Sequence, residues 1–201
     1  MTPPPLVLAS ASPRRQRLLE RLGYRFAVRP AQIDETPQPQ EPAAPYAARL
    51  AVEKAAAVAR PGEVVLAADT VVTCGGALLG KPEDDADARR MLGELAGRWH
   101  EVLTAIAVHA ADLRLEHVER TRVRFAPMKP AEIDWYVATG EARDKAGAYA
   151  IQGLGMLFVD AIDGNYSNVV GLPVPATYRL LRAAGYDLLA APAIGAGGSA
   201  A

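Results

Sequence analysis

The stretch Val64-Val65-Leu66-Ala67-Ala68-Asp69-Thr70-Val71-Val72 is an almost unbroken apolar run. It lies between Pro61-Gly62 and Gly75-Gly76, both turn signals. A short run rich in branched residues and bounded in this way reads as a buried strand over 64–68, continued by a second extended piece over 70–73. Asp69 is the misfit. A carboxylate in such a run sits either at a strand end or in the interior, and an interior one needs a partner or a metal. In α/β sheets ligands gather at the carboxyl ends of strands. The competing reading is a turn aspartate that caps the next segment.

Around this run, strand and helix patterns alternate, which predicts an α/β fold with one mixed, twisted sheet flanked by helices. Short strands are expected over 6–9, 101–108, 113–125 and 156–162. Helices are expected over 14–22, 46–60, 84–95, 130–139 and 175–184. The first has Ser12 as N-cap, Pro13 at its first position and Gly23 as its stop. The segment 36–45 contains four prolines and reads as an irregular connection. No internal repeat is present, and residues 1–190 read as one domain. Residues 191–201, rich in Gly, Ala and Ser, are expected to be a disordered tail.

With 201 residues, half of them hydrophobic and 22% charged, the chain can bury a sizeable core. Its formal net charge of −1 argues against a general polyanion partner such as duplex DNA. Cys74 is the single cysteine, which excludes an internal disulfide and a cysteine-built metal cluster. It reads as a small apolar filler. The N-terminus lacks the features of a signal peptide, and no apolar run approaches the ~20 residues needed to span a bilayer. The expectation is a cytoplasmic protein.

Several local signals suggest an anion site. The helix start after residue 9 offers unpaired N–H groups, with Ser10, Ser12, Arg14 and Arg15 beside them. Cations at a helix start oppose the macrodipole by ~0.3–1 kcal/mol each, which suggests that the arginines serve an anionic ligand. Tyr46, Leu50, Lys54 and Val58 share one helical face, so Lys54 interrupts an apolar stripe. It either snorkels or faces a counter-charge in a cleft. Gly80-Lys81-Pro82 holds a lysine between a flexible and a rigid residue. Glu35 and the glycine-containing stretch 144–153 are weak signals alone. His100 and His109 are too isolated for a zinc site. Trp99 and Trp135 read as core residues before base stackers. No Walker-type loop and no G-x-G-x-x-G fingerprint occur.

Eight segments taken together carry more information than any one. They are Leu8-Ala9-Ser10-Ala11-Ser12-Pro13-Arg14-Arg15, Glu53-Lys54-Ala55, Ala68-Asp69-Thr70-Val71-Val72, Gly80-Lys81-Pro82, Gly97-Arg98-Trp99-His100-Glu101-Val102, Asp144-Lys145-Ala146-Gly147, Tyr149-Ala150-Ile151-Gln152-Gly153 and Tyr166-Ser167-Asn168-Val169-Val170-Gly171-Leu172-Pro173. In this order the chain resembles the Maf-like family of nucleotide pyrophosphatases. The departures are small: Ala148 stands where a second glycine is common, and Asn165 where serine is frequent.

The resemblance implies two lobes around a cleft, similar to inosine triphosphate pyrophosphatases. It implies a divalent cation, magnesium or manganese, and in many members a homodimer. Asp69 matches the family's catalytic acid/base position. Arg14, Thr70 and Gln152 match positions that set base preference, and Ser10, Arg15, Glu35, Lys54 and Lys81 match other cleft residues. One branch has tryptophan at the position of Arg14 and glutamate at that of Gln152, and prefers 7-methyl-GTP. Arg14 and Gln152 instead match the branch acting on dTTP, UTP and related pyrimidine nucleotides. A glutamine amide can both donate and accept toward the edge of uracil or thymine. The expected chemistry is hydrolysis to a nucleoside monophosphate and pyrophosphate. Arg15, Lys54 and Lys81 would grip the phosphates, and Glu35 or Asp69 would hold the metal. The alternatives are a non-catalytic nucleotide-binding regulator of cell division, or a cleft for another phosphorylated metabolite.

Overall fold

The computed structural model describes residues 3–188, so the tail expected over 191–201 lies outside the described residues. Its elements run β1 (Leu6–Leu8), α1 (Pro13–Arg21), β2 (Phe26–Val28), α2 (Ala43–Val58), β3 (Val64–Cys74), β4 (Ala77–Leu79), α3 (Asp85–Leu95), β5 (Trp99–Ala110), β6 (Leu113–Phe125), α4 (Pro130–Ala138), β7 (Val159–Asp163), α5 (Tyr166–Val170) and α6 (Val174–Ala183). The strands form one sheet in the order β2-β1-β3-β5-β6-β7, with β4 added to β3. β1 is parallel to β2 and β3, and the other pairings are antiparallel. This is the mixed sheet with flanking helices that the alternation of patterns predicts.

Period-two alternation along β3 sorts its side chains between the two faces. Val65, Ala67 and Val71 join Ala47, Ala51, Ala55 and Val58 of α2 in one apolar cluster. Val64, Leu66 and Ala68 join Leu19 of α1 with Ala176 and Leu181 of α6 in a second. A third cluster gathers the far end of β3, α3, α4 and the buried rings Phe125, Tyr136 and Tyr149. α2 faces the sheet with alanines, and small side chains let helix and sheet approach closely.

Where the structure departs from the expected elements, local chemistry explains it. Residues 64–74 form one strand, because β5 pairs with it continuously from Val64 to Thr73. α2 begins at Ala43 and includes Pro45 in its first turn, where the missing N–H has no intrahelical acceptor to lose. Ser12 is at the N-cap of α1, yet its side chain makes no capping hydrogen bond; its own N–H donates to Ser10 Oγ at 3.3 Å. The strand expected over 156–162 begins only at Val159, after a 3-10 segment Leu154–Phe158. β2, β4 and α5 are too short to show a period. Trp99 and Trp135 are half-exposed and belong to no buried core; Trp99 lies under Arg122, whose guanidinium carbon is 4.6 Å from the ring centre.

The length of β3 creates the site. On one edge β1 pairs only with Val64, Val65 and Leu66, and β4 only with Val72, Thr73 and Cys74. Between them, residues 67–71 have no strand partner on that edge among the described residues. The sheet is notched there, and Asp69 and Thr70 lie in the notch.

Candidate active site

The notch opens into a cleft of about 670 Å³. Ser10, Arg14, Arg15, Glu35, Lys54, Asp69, Thr70, Lys81 and Gln152 all line it. They come from six places: the β1–α1 loop and helix start, the loop before α2, α2 itself, β3, the loop after β4 and the loop before β7. Neither histidine of the sequence reading lies in it; His100 and His109 are buried in the sheet.

Asp69 and Thr70 are adjacent, so they project to opposite faces of β3. Asp69 faces α2 and is 7% exposed. Lys54 donates to its Oδ1 at 2.7 Å and lies 2.9 Å from Glu35 Oε1. A buried carboxylate thus has its charge partner, and the lysine that interrupts the α2 stripe does not snorkel. The Tyr46 hydroxyl donates to the Glu35 carbonyl at 2.7 Å, which ties the Glu35 loop to the first turns of α2.

Thr70 faces α1. Arg15 donates to Thr70 Oγ1 at 3.0 Å, to Ser10 Oγ at 2.9 Å and to the Gly171 carbonyl at 2.8 Å. This one side chain joins the β1–α1 loop, β3 and the end of α5. Thr70 Oγ1 lies 2.9 Å from Thr104 Oγ1, and Thr104 donates to the Asn168 carbonyl at 3.1 Å. A hydroxyl has one proton, so Thr70 is the donor to Thr104 and can only accept toward a ligand. Asn168 is fully buried, and its amide donates to Val102 O and Thr121 Oγ1. Asn165 caps α5, accepting from the Asn168 N–H through Oδ1. Serine caps helices as well as asparagine does, so this departure from the family pattern is chemically neutral.

The outer wall carries Arg14, which lies 3.7 Å from Asp144, and Lys145, which pairs with Asp144. Lys81, exposed in the loop after β4, has no hydrogen bond or ion pair among the described residues. Gln152 is exposed in the loop between α4 and β7. The cleft therefore holds five cations (Arg14, Arg15, Lys54, Lys81, Lys145) against three carboxylates (Glu35, Asp69, Asp144). Burial lowers the affinity of the Arg15 guanidinium for its proton, Asp69 and Glu35 oppose that effect, and Arg14 adds to it. Burial likewise lowers Arg14, with Asp144 opposing. Crowded, partly desolvated cations are relieved by an anionic ligand, and a cationic cleft in a near-neutral protein focuses anions.

Among the described residues no group of three or more His, Cys, Asp or Glu side chains gathers to hold a metal. Glu35 and Asp69 do converge on one cationic atom, Lys54 Nζ. Two carboxylates fit magnesium, which keeps several waters and completes its shell with substrate phosphates. They do not fit a closed zinc site.

Sequence reasoning misses Thr104, Tyr136 and Glu141. Each is a lone polar residue with no motif around it, and its partners lie on other elements. Asp144 and Lys145 stand in a quoted motif, but nothing local marks them as wall residues.

A protein of Anaeromyxobacter sp. (strain Fw109-5), named dTTP/UTP pyrophosphatase, is 57% identical over 188 residues, 91% of each chain. One of Syntrophomonas wolfei with the same name is 50% identical over 186 residues, covering 90% of this chain and 98% of that one. A solved Staphylococcus aureus Ham1 protein is similar with a TM-score of 0.46 and 16% sequence identity, over 62% of this chain and 73% of that one. The family model described as Maf-like protein matches residues 5–184, and the chain belongs to that family.

Proposed function

We propose that this chain is a dTTP/UTP pyrophosphatase, cleaving a pyrimidine nucleoside triphosphate between its α- and β-phosphates to the monophosphate and pyrophosphate. The observation that carries the reading is the buried Asp69–Lys54 pair, met by the exposed Glu35, in a cleft with a cationic excess. The names of the 57% and 50% identical relatives support the substrate class.

In this reading the triphosphate lies along the notch. Lys81 and Lys54 meet its phosphates. Arg15 has three donor contacts to the protein, so of its five N–H groups two remain for an anion. Its main effect is to hold the Ser10 loop against β3. Lys54 takes Oδ1 of Asp69, and we assign Oδ2 to the attacking water. The water oxygen bonds to the α-phosphorus, the α–β anhydride bond breaks, and the proton passes to Asp69. A divalent cation on Glu35 and Asp69 would supply charge neutralisation at the phosphates. Arg14 and Gln152, on the outer wall, meet the base; Thr70 accepts at most one hydrogen bond there. No described helix is long and apolar enough to cross a membrane, and we place the enzyme in the cytoplasm with its nucleotide pool.

The test is pyrophosphate release from dTTP, UTP, CTP and 7-methyl-GTP with magnesium. We expect turnover of dTTP and UTP, and a loss of roughly 10²–10⁴-fold in Asp69→Asn, the usual worth of a general base. Preference for 7-methyl-GTP would refute the pyrimidine assignment. Tight dTTP binding without pyrophosphate release would instead make the protein a sensor.

A further inference from the structure

The segment that presents Gln152 is a tight turn. Gly153 N–H donates to the Ala150 carbonyl at 3.2 Å, so Ile151 and Gln152 occupy its tip. Both feet of the turn are held by two side chains outside the cleft lining. Ala150 N–H donates to the Tyr136 hydroxyl oxygen at 3.1 Å. Leu154 N–H donates to Glu141 Oε2 and Gly155 N–H to Glu141 Oε1, each at 3.0 Å. Tyr136 O–H closes the ring by donating to Glu141 Oε1 at 2.7 Å.

We propose that Tyr136 and Glu141 are positioning residues for base selection: their shared clasp fixes where Gln152 stands in the cleft. The approach is so close that it dictates sequence. A Cβ on Gly153 would fall 2.0 Å from Glu141 Oε2, and one on Gly155 2.7 Å from the Ala150 carbonyl oxygen. The anchor itself is stiff, since Tyr136 is fully buried and its ring packs edge-on against Phe158 with centroids 5.7 Å apart. Burial pushes the Glu141 carboxyl up, but the Tyr136 hydrogen bond and the two amides outweigh it and leave the carboxyl below its ordinary value. The clasp therefore stays charged at neutral pH, and hydrogen bonds to a charged group are the stronger kind. The segment that begins at Glu141 also supplies Asp144, the partner of Arg14. One loop thus presents Gln152 and supplies the ion-pair partner of Arg14.

This rests on the reading of Gln152 as base-facing, and the experiment separates the two. Wild type, Glu141→Gln, Tyr136→Phe and Gln152→Ala are compared for kcat and KM on UTP and CTP, below their thermal midpoints. UTP and CTP differ on the edge a glutamine amide would read. Glutamine at 141 opposes an NH2 group to one of the two amides, and phenylalanine at 136 removes one oxygen. We expect each clasp variant to raise KM for UTP about tenfold with kcat within about twofold, and to shrink the UTP/CTP ratio of kcat/KM toward that of Gln152→Ala. If Gln152→Ala shifts the ratio and neither clasp variant does, the positioning role is overturned. A fall in kcat with an unchanged ratio overturns it as well, because that is the signature of general destabilisation. If Gln152→Ala leaves the ratio unchanged, the base-facing reading fails and takes this one with it. Should Glu141→Gln not fold, Tyr136→Phe carries the test alone.

Discussion

His100 shows how a single buried residue couples this fold to pH. Its ring is 2% exposed, with Nε2 2.9 Å from the Tyr149 hydroxyl. Desolvation pushes its pKa down from 6.5 to about 4. The unfolded chain therefore binds a proton below pH 6.5 that the folded chain refuses until about pH 4. Stability must fall as pH drops through that window, by about 3 kcal/mol for a shift of this size. His100→Gln keeps a polar group for Tyr149 and cannot charge. Urea midpoints of the two proteins from pH 7 to 4 should diverge below pH 6.5, with wild type losing more; parallel curves would show that His100 is not the titrating group. Residues also show the limits of local reading. Asp69 and Lys54 are each visible as misfits, but their 2.7 Å pairing joins a strand to a helix, and no spacing rule states it. Gly147 and Ala148 both adopt positive φ, 70° and 59°. Glycine would adopt such a φ without strain at the second position, whereas Ala148 accepts it and buries its methyl completely.

At the scale of elements, α2 sets the height of Lys54 above the sheet. Ala51 is 1% exposed and shares a cluster with Ala67 and Ala105 of the strands beneath. Ala51→Leu would overpack this contact and lift the helix, at a cost of about 1–3 kcal/mol. We expect a lower thermal midpoint, and a fall in kcat/KM for dTTP even well below that midpoint, since Lys54 moves away from Asp69. Unchanged kcat/KM would show that the cluster tolerates the displacement. The longer elements were legible from the sequence because cap residues, prolines and glycines mark their ends: α1, α3, α4, α6, β5 and β6 lie close to the expected bounds. The short strands β2 and β4, of three residues each, were not. Their existence depends on an adjacent edge of β1 or β3, which local composition does not reveal. The 3-10 segment before β7 replaces expected strand because Gly153 and Gly155 must pass close to Glu141 and Ala150.

For the whole molecule, ligand binding and folding are linked. The cleft is shared by α1, α2, β3 and the loops after β4 and α4, so a ligand that bridges them stabilises the native state alone. With a dTTP analogue whose α–β bridge is a non-hydrolysable methylene, so that wild type binds without turnover, analogue and magnesium at 100 times Kd should raise the thermal midpoint by roughly 5–10 °C. Chelation of the metal should reduce that rise, and a rise of equal size with chelator present would exclude a cation shared by protein and phosphates. The sequence by itself determined the element pattern, the misfit charges at Lys54 and Asp69, the cationic helix start and the ordered family motifs, because these are local or linear properties. Only the tertiary structure decided that β1 and β4 leave a gap over residues 67–71 of β3. Only it placed Arg15 against Gly171, 156 positions away, and clasped the Gln152 turn with Tyr136 and Glu141. Those contacts arise from strand pairing and helix packing between distant segments, and their energies depend on burial and geometry that no local window of sequence contains.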